Sequence, residues 1–291
     1  MPTPTVRQNR LAIHPFALAG CFSLCLISAL SGCASSKLER AGSLSTYDNL
    51  SPANNHLTQS QQRIDRAEVL AAKTISIHPT RFSDDAASAA LTDQQRALIA
   101  NAIDRSICLG LSSRFQIVGA DHDADLIVHA TVTHVTVTNA YSAGASQVVS
   151  SVLTVAPRIP VGLGALSVEA EASDTKGKQN AAIVWARGAT SLSTARVSSA
   201  GDAYELASDF GGDFSKLLVT GENPINGKLS LPSLPSLPGK AKSAACDIYG
   251  RTGAVSWVAG MFGAPPEWFD KGAADQKRTD AQAANSNAKT E

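Results

Sequence analysis

The sequence has no surplus of positive charge: Lys plus Arg number 25 and Asp plus Glu number 25 among its 291 residues. Binding a phosphate backbone draws on clustered cations that release counterions, so this balance speaks against nucleic acid as a partner. Aromatic residues make up only 5% and charged residues 17%, while 44% are hydrophobic. That is enough apolar material for a full core and too much for a disordered chain. Long hydrophobic runs are missing too. The longest, Phe16 to Leu30, falls short of the roughly 20 residues that a membrane-crossing helix needs, which argues against integral membrane transport. Five cysteines are too few for a disulfide mini-protein, and they lack the paired short spacing of a zinc site.

What is present begins at the amino terminus. Arg7 and Arg10 precede Pro15, an uncharged apolar stretch follows from Phe16 to Leu30, and Leu30-Ser31-Gly32-Cys33 closes it. A basic region, an apolar region and a small-residue processing site are the parts of an export signal. Small residues directly before a cysteine resemble the bacterial lipoprotein signal. The resemblance implies cleavage after Gly32, diacylglycerol on the Cys33 sulfur and acylation of the new amino terminus. Two or more acyl chains anchor stably, at about 0.8 kcal/mol per buried methylene, so the mature protein is expected on a membrane without crossing it. The alternative is an ordinary secretory signal that ends near a cysteine. Removing residues 1–32 takes away Arg7 and Arg10 and no acid, which leaves 23 positive against 25 negative residues. In lipoproteins the residue after the acylated cysteine sorts between membranes. Here it is Ala34 and not aspartate, which implies the outer membrane, facing the periplasm.

Residues 33–65 are polar, rich in Ser, Asn and Gln, and read as a tether between lipid and domain. A single domain over residues 66–222 follows. Thr74-Ile75-Ser76-Ile77 alternates as a short strand, and Thr92 with Gln95 forms a capping box ahead of a helix whose apolar stripe is Leu98, Ile99, Ala102, Ile103 and Ile107. Phe115 to Val118 is a second short strand. Asp125 to Thr138 is the strongest strand signal, with Leu126, Val128, Ala130 and Val132 on one face and Val135 and Val137 on the other, so a bulge or a sharp twist is expected near His134, with a change of partner sheet there as the alternative. Leu166, Val168, Ala170 and Ala172 alternate with Ser167, Glu169, Glu171 and Ser173, predicting a strand with one wet face. Asp174-Thr175-Lys176-Gly177 turns it into a hairpin with Ala182 to Ala189. A second helix spans roughly Asp202 to Val219, with Leu206, Phe210, Phe214 and Leu217 as its stripe and Gly211-Gly212 weakening its middle. The order describes an α+β fold, a mainly antiparallel sheet with helices packed on one face. A Ser-Leu-Pro strap (223–240), a C-terminal apolar segment (241–270) and a disordered tail (271–291) complete the expected organisation.

Gly32-Cys33-Ala34, the run from Ala41 to Leu50 (Ala-Gly-Ser-Leu-Ser-Thr-Tyr-Asp-Asn-Leu) and Ala124-Asp125-Leu126-Ile127-Val128 together resemble a family of uncharacterised bacterial lipoproteins, domain of unknown function 3313. The resemblance runs from the signal through residue 219 and implies a lipoprotein with no assigned activity. The element order, the Ala124-Asp125 strand start and the 174–177 hairpin also resemble periplasmic α/β domains of the curli-secretion channel lipoprotein and of lipoprotein activators of peptidoglycan synthases. That second likeness is architectural, and architecture does not transfer function.

Chemistry is sparse. Asp121, Asp123 and Asp125 share the first spacings of a calcium loop, but Leu126 stands where its glycine belongs and Val132 where its glutamate belongs, so they read as a polar turn. His122, His129 and His134 are close in sequence, yet 129 and 134 point to opposite faces of a regular strand. Gly144-Ala145-Ser146 lacks the second glycine of a hydrolase elbow, and Gly162-Leu163-Gly164 lacks the third of a dinucleotide loop. Glu169 and Glu171 share a face, where they are either an acid and base pair or solvated surface. No catalytic, cofactor-binding or metal-binding residue is assigned. Cys108 lies opposite the first helix's apolar stripe, and a disulfide to Cys246 would pin the C-terminal segment onto that helix. Asn139 to Val168, and Trp257, Met261, Phe262, Trp268 and Phe269, are apolar enough to be core or docking surface. The expectation is a lipid-anchored accessory that binds an envelope protein and is not an enzyme. A ligand-binding or hydrolytic periplasmic enzyme and a ring-forming secretion component are the alternatives.

Overall fold

A computed structural model describes residues 36–87, 90–143, 161–191, 193–194, 196–225, 244–250 and 263–270. In chain order the elements are β1 (Ser51–Pro52), β2 (Thr58–Ile64), α1 (Arg66–Ala71), β3 (Thr74–Ile77), β4 (Arg81–Phe82), α2 (Asp84–Ala87), α3 (Asp93–Leu111), β5 (Gln116–Val118), β6 (Leu126–Thr136), β7 (Ala165–Ser173), β8 (Gln179–Gly188), α4 (Gly201–Thr220), a 3-10 turn (Ala244–Tyr249) and α5 (Pro266–Phe269). One eight-stranded sheet runs β1-β2-β8-β7-β6-β3-β5, with β4 also paired to β6. It is antiparallel from β1 across to β6 and parallel where β3, β4 and β5 join. The α+β expectation holds, with helices on one face.

Local chemistry accounts for these elements. Thr92 Oγ1 accepts from Gln95 N and Gln95 Oε1 accepts from Thr92 N, which satisfies two orphan donors at the start of α3. α4 stops at Gly221, whose φ of 67° is the left-handed cap that glycine takes without steric cost. In β6 the pairing with β7 shifts between Val132 and His134, so Leu126, Val128, Ala130, Val132 and then Val135 all reach the same core. Of the bulge, the sharp twist and the change of partner sheet that the alternation allows, the strand takes the bulge and keeps β7 as its partner. The α3 stripe of Leu98, Ile99, Ala102, Ile103 and Ile107 and the α4 stripe of Leu206, Phe210, Phe214 and Leu217 are buried together against Leu166, Val168, Ile183 and Trp185. Each large side chain buried there contributes about 1.5–3 kcal/mol.

The two helices approach closely because small residues meet where they cross. A Cβ on Gly110 would lie 2.0 Å from Ser215 Oγ, and one on Gly211 would lie 2.5 Å from Ser106 Cβ. Ser106 Oγ then donates to Ser208 O at 2.9 Å. Gly211 therefore has a packing reason, while a Cβ on Gly212 would meet nothing within 4 Å.

The amino-terminal part departs from the sequence reading. Described residues of the expected 33–65 tether are folded: β2 adds to the sheet beside β8, with Thr58 opposite Arg187 through Ile64 opposite Ala181. Ahead of it, residues 36–50 lie as a strap over the face of the sheet that the helices leave free. The expected wet face of β7 is consequently dry, and every residue of β7 and of β8 is buried. The folded body therefore extends on both sides of 66–222, since the 3-10 turn and α5 also pack on α3. The 226–240 part of the Pro-rich strap, the tail and the signal lie outside the described residues.

Candidate functional site

The strap is built on two carboxylates. Glu169 and Glu171 point to one side of β7, two residues apart, and Ser43 and Ser45 meet them with the same period. Glu169 Oε2 accepts from Ser43 N at 3.2 Å and Ser43 Oγ at 2.5 Å, and its Oε1 accepts from Tyr47 OH at 2.7 Å. Glu171 Oε2 accepts from Ser45 N and Ser45 Oγ, both at 2.8 Å, and from Gln179 Nε2 at 2.6 Å. Further along, Ser167 Oγ donates to Lys37 O at 2.9 Å and lies 3.3 Å from Ser36 Oγ. Leu44 supplies the apolar contact, packed on Ala182 and Val184 with Leu38, Tyr47 and Leu50 around it. Burial, then the bond to Glu169, pushes the Tyr47 hydroxyl up to about 12, so it stays a donor throughout the physiological range. The glutamates are neither solvated surface nor an open acid and base pair, because both oxygens of Glu169 and Oε2 of Glu171 accept from the chain's own donors.

A second constellation fastens the C-terminal segment. Cys108 and Cys246 form a disulfide with Cα atoms 5.7 Å apart. Cys108 is buried, and the cover over it is the segment to which it is bonded. One helical turn earlier, Arg105 Nη2 donates to Asp270 Oδ2 at 2.7 Å and to Tyr204 OH at 3.0 Å, while Nη1 donates to Tyr249 O at 3.1 Å. Tyr204 OH donates to the same Asp270 oxygen at 2.5 Å. Burial first, and Asp270 beside it, raise the Tyr204 hydroxyl, so it too stays a donor. Sequence periodicity gave no signal for this knot, since Arg105 and Asp270 are 165 residues apart.

Asp104 is a further buried acid. Thr80 N lies 3.1 Å from its Oδ2, and Thr80 Oγ1 donates to its Oδ1 at 2.5 Å. Burial outweighs these bonds and pushes its carboxyl up to about 7. On α4, Asp213 accepts from Trp185 Nε1 at 2.9 Å and is likewise raised by burial.

Asp125 Oδ2 accepts from Lys73 N at 2.7 Å and Thr74 N at 2.9 Å, which clasps the starts of β3 and β6 and lowers its carboxyl. Asp121 pairs with His122 at 2.9 Å on the exposed turn before β6. The bulge corrects the reading of the histidines: His129 is opposite Glu171 and His134 opposite Ser167, so both lie on the strap face. They are not brought together. His129 stands against His78 with ring centroids 4.6 Å apart, and burial and then His78 lower its pKa; His134 lies 3.6 Å from Glu39. Among the described residues no group of three or more His, Cys, Asp or Glu is placed to hold a metal ion. No helix among them is long and apolar enough to cross a membrane. Gly162-Leu163-Gly164 leads into β7, and Gly164 N donates to Asp202 Oδ2 at 2.7 Å. Phe269 packs edge-on to Tyr204 at 6.1 Å, whereas Trp268 is exposed. Cys33, residues 144–160 with Gly144-Ala145-Ser146, and Trp257, Met261 and Phe262 lie outside the described residues.

No curated protein is a significant match to this chain. Among solved structures, a point variant of the PelC dodecamer from Paraburkholderia phytofirmans is similar at 11% identity with a TM-score of 0.32, covering 54% of this chain and 95% of that one. The PelC dodecamer from the same organism in another crystal form is similar at 11% identity with a TM-score of 0.31, covering 59% and 99%. The match that decides the family is in sequence: residues 39–214 take in the whole strap-to-α4 arrangement except its first few residues and the end of α4, and the chain belongs to the family described as protein of unknown function (DUF3313).

Proposed function

We propose that this chain is a periplasmic lipoprotein, held at the outer membrane by acyl chains on Cys33, that acts as a non-enzymatic accessory by binding an envelope protein. The observation that carries the reading is the run from Arg7 through the apolar stretch to Leu30-Ser31-Gly32-Cys33, followed three residues later by a strap packed on the domain. The Cys108–Cys246 disulfide supports export, since such bonds persist in oxidising compartments. The engagement of Glu169 and Glu171 by strap donors favours a structural use of these acids over a catalytic one. Intact-mass analysis of the protein recovered from membranes tests the anchor. A mass that begins at an acylated Cys33, with a two-hydrogen gain on reduction, is expected; an unacylated mature protein would sink the lipoprotein reading and reopen the soluble enzyme alternative.

A further inference from the structure

Large apolar side chains exposed on this domain are unevenly spread. Of the seven among the described residues, four gather at one pole of the sheet: Tyr141 (93% exposed), Val161 (58%), Val197 (40%) and Trp268 (75%). β6 ends, β7 begins and β8 ends at this pole, as their antiparallel pairing requires. The connections are stitched together there: Thr138 N donates to Ser199 O, Asn139 N to Gly162 O and Ala189 N to Gly164 O, each at 2.9 Å. The C-terminal segment arrives at the same place, with Val197 N donating to Gly263 O at 3.4 Å and Ser198 Oγ donating to Glu267 Oε1, next to Trp268, at 2.6 Å.

The strap starts beside this pole. Ser36 meets Ser167, which is two residues, or about 7 Å at the rise of a strand, from the first residue of β7. Cys33 precedes Ser36 by three residues, a reach of up to about 10 Å. The opposite end of the sheet, at the Asp174–Gly177 turn, is about 23 Å from Ser167 by the same rise and is beyond that reach. The geometry points to the Tyr141–Val161–Val197–Trp268 pole as a phospholipid-contacting surface, an inference that rests on acylation of Cys33. The acyl chains and these side chains then enter one leaflet. Tyr and Trp rings suit the head-group level, with a polar edge toward water, and the two valines add apolar area beneath them. A lipid anchor alone leaves a domain free to tumble; a short link to one pole plus apolar contacts at that pole fixes which end faces the bilayer.

Full-length acylated protein carrying Tyr141→Cys, Trp268→Cys or Lys176→Cys provides the test. Each added thiol takes an NBD fluorophore, and each protein is reconstituted into phosphatidylethanolamine and phosphatidylglycerol vesicles with or without doxyl-labelled phospholipid. The three positions are exposed, and intact mass verifies both Cys33 acylation and the disulfide in every sample. Quenching of about twofold or more is expected at 141 and 268, with none at 176 in the far turn. Equal and weak quenching at all three sites in acylated protein overturns the inference and leaves the anchor intact. A blue shift at 141 and 268 that doxyl lipid leaves unchanged but that grows with protein density overturns it in favour of a second copy. Absence of acylation removes the lipoprotein reading and this inference with it.

Discussion

On one face of the sheet α3 and α4 bury Ile, Leu and Phe side chains in an unbroken layer, whereas on the other a run of small polar residues is held by Glu169 and Glu171. Both faces are dry, but for different physical reasons. The helix face excludes water by apolar area and tolerates no gap. The strap face offers a single small apolar cluster around Leu44, so its order depends on hydrogen bonds in which several donors converge on each of two carboxylates. Perturbing each face in turn distinguishes the two modes.

The largest effect is expected on the helix side at the disulfide. Replacing Cys108 and Cys246 together with Ala opens a loop of 138 residues, a loss of about 5 kcal/mol by loop-closure entropy, read as a lower denaturant midpoint. Next comes Phe210→Ala, which leaves a cavity beside Trp185 and Phe214 and costs about 3–5 kcal/mol in the same experiment. The third expected effect concerns pH. With burial raising Asp104 from 3.8 to about 7, the native protein keeps a proton that the unfolded chain releases in that window. Stability therefore falls as pH rises from about 4 to 7, by up to about 1.4 kcal/mol per unit from this group. Asp104→Asn is expected to flatten that slope in unfolding curves taken across the window. Smallest is Tyr47→Phe on the strap side, which deletes one bond to Glu169 and costs about 1–2 kcal/mol. Amide exchange is its sharper readout: faster for residues 43–47, unchanged within α3 and α4. An equal acceleration in the helices would show that the two faces are not held independently.

What was legible in the sequence follows the same division. Periodicity gave the α3 and α4 stripes, the β7–β8 hairpin and the change of phase at His134, because apolar burial repeats along the chain at 3.6 or 2 residues. Cys108 was legible as a half-disulfide because it broke the stripe. The strap was not. Its serines have no apolar rhythm, and what orders them is a pair of glutamates 126 residues away. Ser43-x-Ser45 and Glu169-x-Glu171 share a spacing of two, yet nothing in either segment says that they meet. The Arg105–Tyr204–Asp270 knot has no sequence signature for the same reason: polar contacts between distant segments leave no local trace.

The crossing of α3 and α4 carries a lesson about heredity. Gly110 faces Ser215 and Gly211 faces Ser106, each glycine giving up the volume that the opposite serine fills. A Cβ on Gly110 would sit 2.5 Å from the Cβ of Ser215, so even shortening that serine to alanine would not admit it. A side chain at Gly110 requires a matching reduction to glycine at Ser215, whereas at Gly211 even glycine in place of Ser106 would leave the Cβ 2.9 Å from the backbone nitrogen of Ile107. The two helices, 90 residues apart in the chain from Leu111 to Gly201, thus behave as one unit of variation, to be altered in linked pairs or left as they are.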